Sequence, residues 1–319
     1  MAKRGTTGGL VSVGDILPGI ELPEASEQGS PLIAVDPRDL TGDDIAYTHA
    51  VFAQCFLPLR ARKGAQRHQV NHGNASLIVR AGELIDPDEM HKTELCEIPS
   101  GPKARLLLAY INNQAIRKGK PDVDMGDSLR AFMKKAGVVI GGPNGREITR
   151  QVKNIAACQM ILGVWGGTHA AQRRIDISDG ISFWLEKDPR QKTLWQPTMT
   201  LSDDYMAALD NHRVPLDFRG LVTLQANTRA MDIFVWLSYR LCKIPRGRPV
   251  KIPYTALHAI FGNGRGRVRD FRTKFIEALK QAHSCYPDAR VELESDHIVL
   301  YASPSPVPAA GTVALPKSR

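Results

Sequence analysis

One order of sequence signals occurs twice in this chain, with the two copies starting about 125 residues apart. Each copy begins with an apolar helical stretch, ARLLLAYINNQAIRKGK from Ala104 and AMDIFVWLSYRLCKIPRGR from Ala230. A Pro-containing connector (PDVDM, then PVKIP) leads into a short helix that ends at a glycine, SLRAFMKKAG and TALHAIFG. A Gly/Arg loop, a long helix and a strand-like hairpin complete each copy. Helix, strand, helix, long helix and hairpin is the order of a winged helix-turn-helix module, so the sequence predicts two of them in tandem.

The predicted fold class is therefore α+β, mainly helical, with two tandem winged helix-turn-helix domains. The predicted divisions are a mobile N-terminal arm (1–44), a first winged-helix domain with an N-terminal extension (45–190), a second winged-helix domain (191–305) and a disordered tail (306–319).

Three local predictions concern the first domain. In the extension, IAYTHAVFAQCFLPL (45–59) predicts a helix up to Pro58, and the β-branched run SLIVRAG predicts a strand. The hairpin of the first copy is predicted in MILGVWGG and QRRIDISDGISFWLEK, with strands on either side of Ser178–Asp179–Gly180.

The positive charge of the chain is concentrated in the second copy. The formal net charge is +9, and the segment 240–280 contains eleven Lys and Arg residues against Asp270 and Glu277. A clustered excess of this kind is typical of proteins that bind a polyanion. The alternative is a solvated basic face without a partner, but its position at matching points of a repeat favours nucleic acid.

The long helix of the first copy is predicted to have two distinct faces. Ile148, Val152 and Ile155 recur at helical spacing and are expected to pack inward. The candidate DNA-binding residues share another face of the same helix: Arg146, Thr149, Arg150 and Lys153. A recognition helix needs this division, because one face is seated on its module and the other offers donors to bases and phosphates.

The long helix of the second copy has the same division with more charge. Its predicted inward residues are Phe271, Phe275, Leu279 and Ala282. Its candidate DNA-binding residues are Arg265, Arg267, Arg269, Arg272, Thr273 and Lys274. For both helices the alternative is an amphipathic helix with a hydrated basic face. A basic stretch nearer the N-terminus could add contacts to the DNA backbone: Arg60, Arg62, Lys63 and Arg67.

No catalytic residue, metal site or cofactor is predicted. The sequence contains no H-E-x-x-H, G-x-S-x-G or tight acidic cluster, and its nine histidines are scattered. The glycine loops GGPNGRE and GNGRGR do not follow a strand of a βαβ unit and lack the G-K-[ST] of a phosphate-binding loop, so they are interpreted as turns. An enzymatic alternative is a relaxase or nickase with a nucleophilic tyrosine. Tyr110 and Tyr239 lie on apolar helical stretches, where a packing role is favoured.

The sequence predicts a cytoplasmic protein without a membrane partner. No apolar run approaches the roughly 20 residues of a membrane span, and the N-terminus lacks the apolar core of a signal peptide. The five cysteines lie far apart, as expected of reduced thiols, with zinc ligation as the alternative.

Beyond these patterns, the sequence resembles the plasmid-encoded RepA family of replication initiators. The resemblance rests on LPLRARK, ARLLLAYINNQAIRKGK, MGDSLRAFMKKAGV and GGPNGREITRQV in the first half. In the second half it rests on VPLDFRGLVTL, RAMDIFVWLSYRL, LHAIFG, FRTKFIEALKQAHSCYPDARV and SPSPV. These signatures occur in order over most of residues 57–307.

The resemblance implies a protein that binds repeated double-stranded DNA sites (iterons) at a plasmid origin, promotes opening of adjacent AT-rich DNA and helps to load a helicase. It also implies contacts with the host initiator and the replicative helicase, and a shift between a DNA-binding monomer and a homodimer. Related initiators place two winged modules in successive major grooves about 34 Å apart. The alternative in another functional class is a sequence-specific transcriptional repressor without initiator activity.

Overall fold

The computed structural model describes residues 40, 44–60, 64–72, 75–86, 89, 91–138, 142–166, 169–182, 198–262 and 266–307. The predicted arm and tail lie almost wholly outside the described residues. Among the described residues there are eight α-helices and fourteen strands, so the structure is a mixed α/β fold and the expectation of a mainly helical protein overstates the helical share. No helix in these ranges is both long and apolar enough to cross a lipid bilayer.

Five short strands precede the first repeat: β1 (Ile45–His49), β2 (Arg67–His72), β3 (Ala75–Arg80), β4 (Glu83–Ile85) and β5 (Thr93–Leu95). The predicted strand SLIVRAG is confirmed as β3. The predicted helix 45–59 is wrong: β1 occupies its start, and only a turn at 50–55 follows. The physical reason is a partner far along the chain, because β1 pairs antiparallel with residues 213–217.

The first repeat contains the predicted helix, strand, helix and long helix. These are α1 (Gly101–Lys118), β6 (Asp122–Asp124), α2 (Asp127–Lys135) and α3 (Gly142–Ala157). Pro102 lies in the first turn of α1, where a missing N–H costs nothing, and Gly119 ends the helix with a φ of 60°. Gly137 likewise follows α2 with a φ of 65°, so a glycine ends this short helix as predicted.

Four strands follow α3: β7 (Gln159–Gly166), β8 (His169–Asp176), β9 (Ser178–Ile181) and β10 (Thr198–Leu201). The prediction that Ser178–Asp179–Gly180 separates two strands is wrong, because these residues belong to β9. The strands β7 and β8 form a hairpin, but it joins β3 and β2 in a four-stranded sheet of order β2-β3-β7-β8. The first strand of the repeat, β6, pairs with β10, and β10 pairs with β9.

Helix α4 (Asp203–His212), strand β11 (Arg213–Asp217) and helix α5 (Phe218–Thr223) connect the repeats. The predicted succession of a helix and an extended segment in LSDDYMAALDNHRVPLDF is confirmed. Ser202 caps α4 by accepting a hydrogen bond from the Tyr205 N–H at 3.1 Å. The domain boundary after residue 190 stays a prediction. Strand β10 lies beyond that boundary, although its sheet partners belong to the first repeat.

The second repeat contains α6 (Thr228–Arg240), β12 (Val250–Pro253), α7 (Tyr254–Phe261), α8 (Val268–Ser284), β13 (Val291–Leu293) and β14 (His297–Leu300). The predicted closing strands ARVELES and HIVLYAS are confirmed as β13 and β14. The sheet order is β12-β14-β13, which is the same arrangement as β6-β10-β9. In each repeat the first strand therefore pairs with the last, and the last with the one before it.

A single hydrophobic cluster includes residues of both repeats. The predicted inward residues of the two long helices are buried, with Ile155 and Phe275 fully enclosed. Trp236 on α6 is also buried, and the centre of its ring lies 5.4 Å from the centre of the Phe261 ring of α7. This core fixes which faces of α3 and α8 are turned away from their own repeats.

Candidate nucleic-acid interface

The start of α8 carries three exposed cations of the predicted interface. Arg267 precedes the helix, Arg269 lies in its first turn and Lys274 in its second, and all three are exposed. Within the described ranges, no carboxylate oxygen lies within 4.0 Å of their side-chain nitrogens. Thr273 is exposed beside them, and its hydroxyl donates to the Arg269 carbonyl at 3.4 Å. The predicted outward face is therefore present, while Arg265 lies outside the described residues.

Arg272 differs from these cations because its side chain is partly enclosed. Its guanidinium carbon lies 4.8 Å from the centre of the Tyr254 ring, and Nη2 donates to the Glu294 carbonyl at 3.4 Å. Burial raises the pKa of the Tyr254 hydroxyl, although the adjacent guanidinium opposes this shift. Arg272 thus spans the start of α7 and the turn between β13 and β14 and is less exposed than its neighbours on the predicted face. Aromatic and carbonyl contacts hold its orientation. Its role as a DNA contact stays a prediction.

The predicted outward face of α3 divides into two parts. Arg146 and Thr149 are exposed, as predicted. Arg150 forms ion pairs with Glu147 at 2.8 Å and with Glu97, and Lys153 forms an ion pair with Glu94. Arg150 and Lys153 are therefore not unpaired outward donors, because Glu97 and Glu94 from a segment before α1, and Glu147 of α3 itself, already contact them. Their role in DNA binding stays a prediction.

The acidic residues beside α3 were missed by sequence reasoning. Glu97 and Glu94 are 53 and 59 residues from the cations that they contact. Helical spacing assigns side chains to faces of one helix, but it contains no information about which distant segment covers a face. The one signal that could have been used is the pair of glutamates directly before α1.

The basic stretch near the N-terminus is only partly described. Arg60 is exposed, and Arg67 is exposed on β2, directly opposite the exposed Arg80 of β3. Arg62 and Lys63 lie outside the described residues. The stretch is thus basic and accessible where the structure describes it, and its contribution to DNA contacts stays a prediction.

The structure shows no assembled metal site in the part of the chain it describes. In that part, no group of three or more His, Cys, Asp or Glu side chains could hold a metal ion. The two tyrosines considered as nucleophiles are engaged in the fold. The Tyr110 hydroxyl donates to the Asp124 carbonyl at 2.7 Å, and the Tyr239 hydroxyl accepts from the Gln54 amide at 3.2 Å.

Comparison with known families identifies the central part of the chain. Residues 98–256 match the model of a family described as plasmid encoded RepA protein. The chain belongs to this RepA family. The matched segment begins just before α1 and stops within α7, so it contains α3, while α8 lies beyond it.

Two of the solved structures that are similar to this chain share 12% sequence identity with it. A crystal structure of selenomethionine derivatives of domain 2 and domain 3 of RctB has a TM-score of 0.48 and covers 79% of this chain and 97% of its own. A crystal structure of RctB domains 2-3 has a TM-score of 0.40 and covers 78% of this chain and 94% of its own. No curated protein sequence matches the chain.

Proposed function

We propose that this protein is a plasmid replication initiator that binds repeated double-stranded DNA sites at an origin. Membership of the RepA family supports the replication role. The observation that carries DNA binding is the exposed start of α8, where Arg267, Arg269 and Lys274 have no carboxylate partner among the described residues. Cations that no internal acid neutralises are available to phosphates, and each phosphate contact releases counterions from the DNA.

Each repeat acts as a winged helix-turn-helix module in this proposal. Support comes from the repeated element order and from the repeated sheet order, β6-β10-β9 and β12-β14-β13. In such modules the N-terminal residues of the recognition helix contact base edges in the major groove. This assigns base contacts to Arg269 and Thr273, and phosphate contacts to Arg267 and Lys274. Arg272 flanks the same surface, and Arg265 stays a predicted contact.

The two long helices contribute unequally. Among the described residues, Arg267, Arg269 and Lys274 at the start of α8 have no carboxylate partner. By contrast, α3 presents Arg146 and Thr149 directly and holds Arg150 and Lys153 in ion pairs. We therefore assign most of the sequence-dependent affinity to the second repeat. The first repeat adds contacts that orient the protein on a neighbouring part of the duplex.

The mechanism uses binding energy to deform and open adjacent DNA, with no covalent step. The engagement of Tyr110 and Tyr239 in hydrogen bonds of the fold supports this assignment over a tyrosine-dependent nickase. Recruitment of the host initiator and the helicase, dimerisation, and a cytoplasmic location stay predictions of the resemblance and the composition.

The first test compares Arg269→Ala with Lys280→Ala on duplexes from around the protein's own gene and on scrambled duplexes. Lys280 is an exposed cation on the same helix, about 16 Å further along its axis, so it controls for the lost charge. Arg269→Ala is expected to lower affinity for cognate DNA by about 1–3 kcal/mol and to relax the choice at one base. Lys280→Ala should weaken cognate and scrambled binding by similar, smaller amounts. Equal losses for both variants on both DNAs would contradict base readout by α8.

A second test separates the initiator from a repressor that only blocks a promoter. Permanganate reactivity of thymines beside the protected repeats, measured on supercoiled DNA, should rise when the protein binds. Protected repeats without reactive thymines, together with a plasmid that replicates without the protein, would favour the repressor.

A further inference from the structure

A short acidic segment lies along α3 of the first repeat. We call residues 94–100 the strap. Its backbone is fixed to buried side chains of the helix, because the Glu97 N–H donates to Asn154 Oδ1 at 2.9 Å and the Ser100 N–H donates to Gln151 Oε1 at 3.0 Å. Gln151 is 0% and Asn154 2% exposed. The strap therefore follows the helix closely.

The acidic side chains of the strap are partly exposed to solvent. Glu94 contacts Lys153 and Glu97 contacts Arg150, with 41% of the Glu94 side chain and 30% of the Glu97 side chain exposed. A half-exposed carboxylate can turn into water without moving the backbone that carries it. The ion pairs can therefore break while the strap stays in place.

The corresponding segment of the second repeat has the same position without the acidic residues. Asn227, just before α6, donates its side-chain amide to Gln281 of α8 at 2.9 Å. The stretch 222–227 reads VTLQAN and contains no acidic residue. In both repeats the segment before the first helix is thus bonded to the long helix, and only in the first repeat does it neutralise that helix.

We propose that the strap competes with DNA phosphates for the cations of α3, and that Glu94 and Glu97 thereby limit the affinity of the first repeat for duplex DNA. The inference rests on the proposed DNA-binding function and concerns how that function is restrained. When a phosphate approaches, Lys153 and Arg150 exchange a carboxylate for it. Before that exchange, the two carboxylates also repel the incoming backbone.

The variants that test this are Glu94→Gln and Glu97→Gln, because glutamine keeps the size of the side chain and removes its charge. Glu83→Gln is the matched control. It makes the same change of charge on the neighbouring strand β4, where Glu83 pairs with Leu95. Because successive side chains of a strand point to opposite faces, the Glu83 side chain lies on the face of the hairpin opposite to that of Glu94. The urea midpoint of each variant, measured beside the binding, shows that the fold is intact.

Each strap variant should bind cognate DNA about 1.4- to 5-fold more tightly, which is the range expected when a half-exposed ion pair no longer competes. The control should change affinity less than either strap variant does. The gain from Glu94→Gln should vanish in a Lys153→Gln background, and the gain from Glu97→Gln should shrink in an Arg150→Gln background.

The proposal is overturned if the strap variants bind no more tightly than Glu83→Gln, or if the gain persists when the partner cation is removed. Failure of the proposed function looks different. In that case the wild-type protein forms no sequence-dependent complex, and Arg269→Ala has no effect. A specific wild-type complex that depends on Arg269 but ignores the strap variants would contradict the strap proposal alone.

Discussion

A buried ion pair joins the first helices of the two repeats and offers the most direct test of the fold. Arg105 on α1 binds Asp232 on α6 through two bonds, Nε to Oδ1 at 2.6 Å and Nη2 to Oδ2 at 2.7 Å. The side chains are 10% and 6% exposed. The guanidinium also donates to the Leu57 carbonyl at 2.8 Å, so one arginine connects both helices and the segment before them.

Arg105→Met is expected to lower the free energy of unfolding by about 3–5 kcal/mol. The Asp232 carboxylate would stay buried without its partner, and a cost of this size is typical when one half of a buried pair is removed. In the double variant Arg105→Met, Asp232→Leu neither member of this pair is left buried without the other. The remaining cost is that of the Leu57 carbonyl, which loses its donor, at about 1–3 kcal/mol. The double variant should therefore be more stable than Arg105→Met alone.

Urea denaturation followed by circular dichroism measures these differences, with the slope of each transition checked against the wild type. Lys103→Met is the control, because Lys103 lies on the same helix and its ammonium bonds Asn144 at the surface. It should change the free energy of unfolding by no more than about 0.5 kcal/mol. A cost below about 1 kcal/mol for Arg105→Met, or a double variant less stable than that single variant, would refute the reasoning.

Two further predictions concern stability. Gly82→Ala should lower the free energy of unfolding by about 1–3 kcal/mol, because the new Cβ would lie 2.0 Å from the Ala157 carbonyl oxygen. Gly145→Ala, where a Cβ meets nothing within 4 Å, should raise it by about 0.4–1 kcal/mol in the same urea assay. Burial lowers the pKa of His49 from 6.5 to about 4, so between these values the unfolded chain binds a proton that the folded chain does not. The free energy of unfolding should fall by up to about 3 kcal/mol as the pH drops from 6.5 to 4, and His49→Gln should flatten that slope.

The order of elements in each repeat was predictable because the signals are local. The apolar stretches of α1 and α6 and the periodic faces of α3 and α8 are features of continuous sequence. Glycines at the helix ends added boundaries, as at Gly119 and Gly137. Such signals need no knowledge of which segments meet in space.

The strand pairings were not predictable, because they depend on partners far along the chain. Ile45–His49 has enough apolar residues to suggest a helix, but it pairs with strand β11 far along the chain. The paired residues are 172 positions apart at Ile45–Asp217 and 164 apart at His49–Arg213. The predicted hairpin around Ser178–Asp179–Gly180 is wrong for the same reason. Strand β7 pairs with β3, and the strands that complete the repeat are β9, which contains these three residues, and β10.

The same distinction explains why two long helices with the same predicted division of faces differ in how many of their cations are unpaired. Their spacing of cations is similar, and in both the inward stripe is buried as predicted. What differs is the segment before the first helix of each repeat, which contributes Glu94 and Glu97 beside α3 and only uncharged residues beside α8. A basic helix face that is predicted from sequence can therefore bind phosphates only where acidic side chains of the same protein do not already pair with its cations. On that criterion the start of α8 is the stronger candidate for a phosphate site. On α3, the availability of Arg150 and Lys153 to phosphates depends on whether the carboxylates of the strap release them.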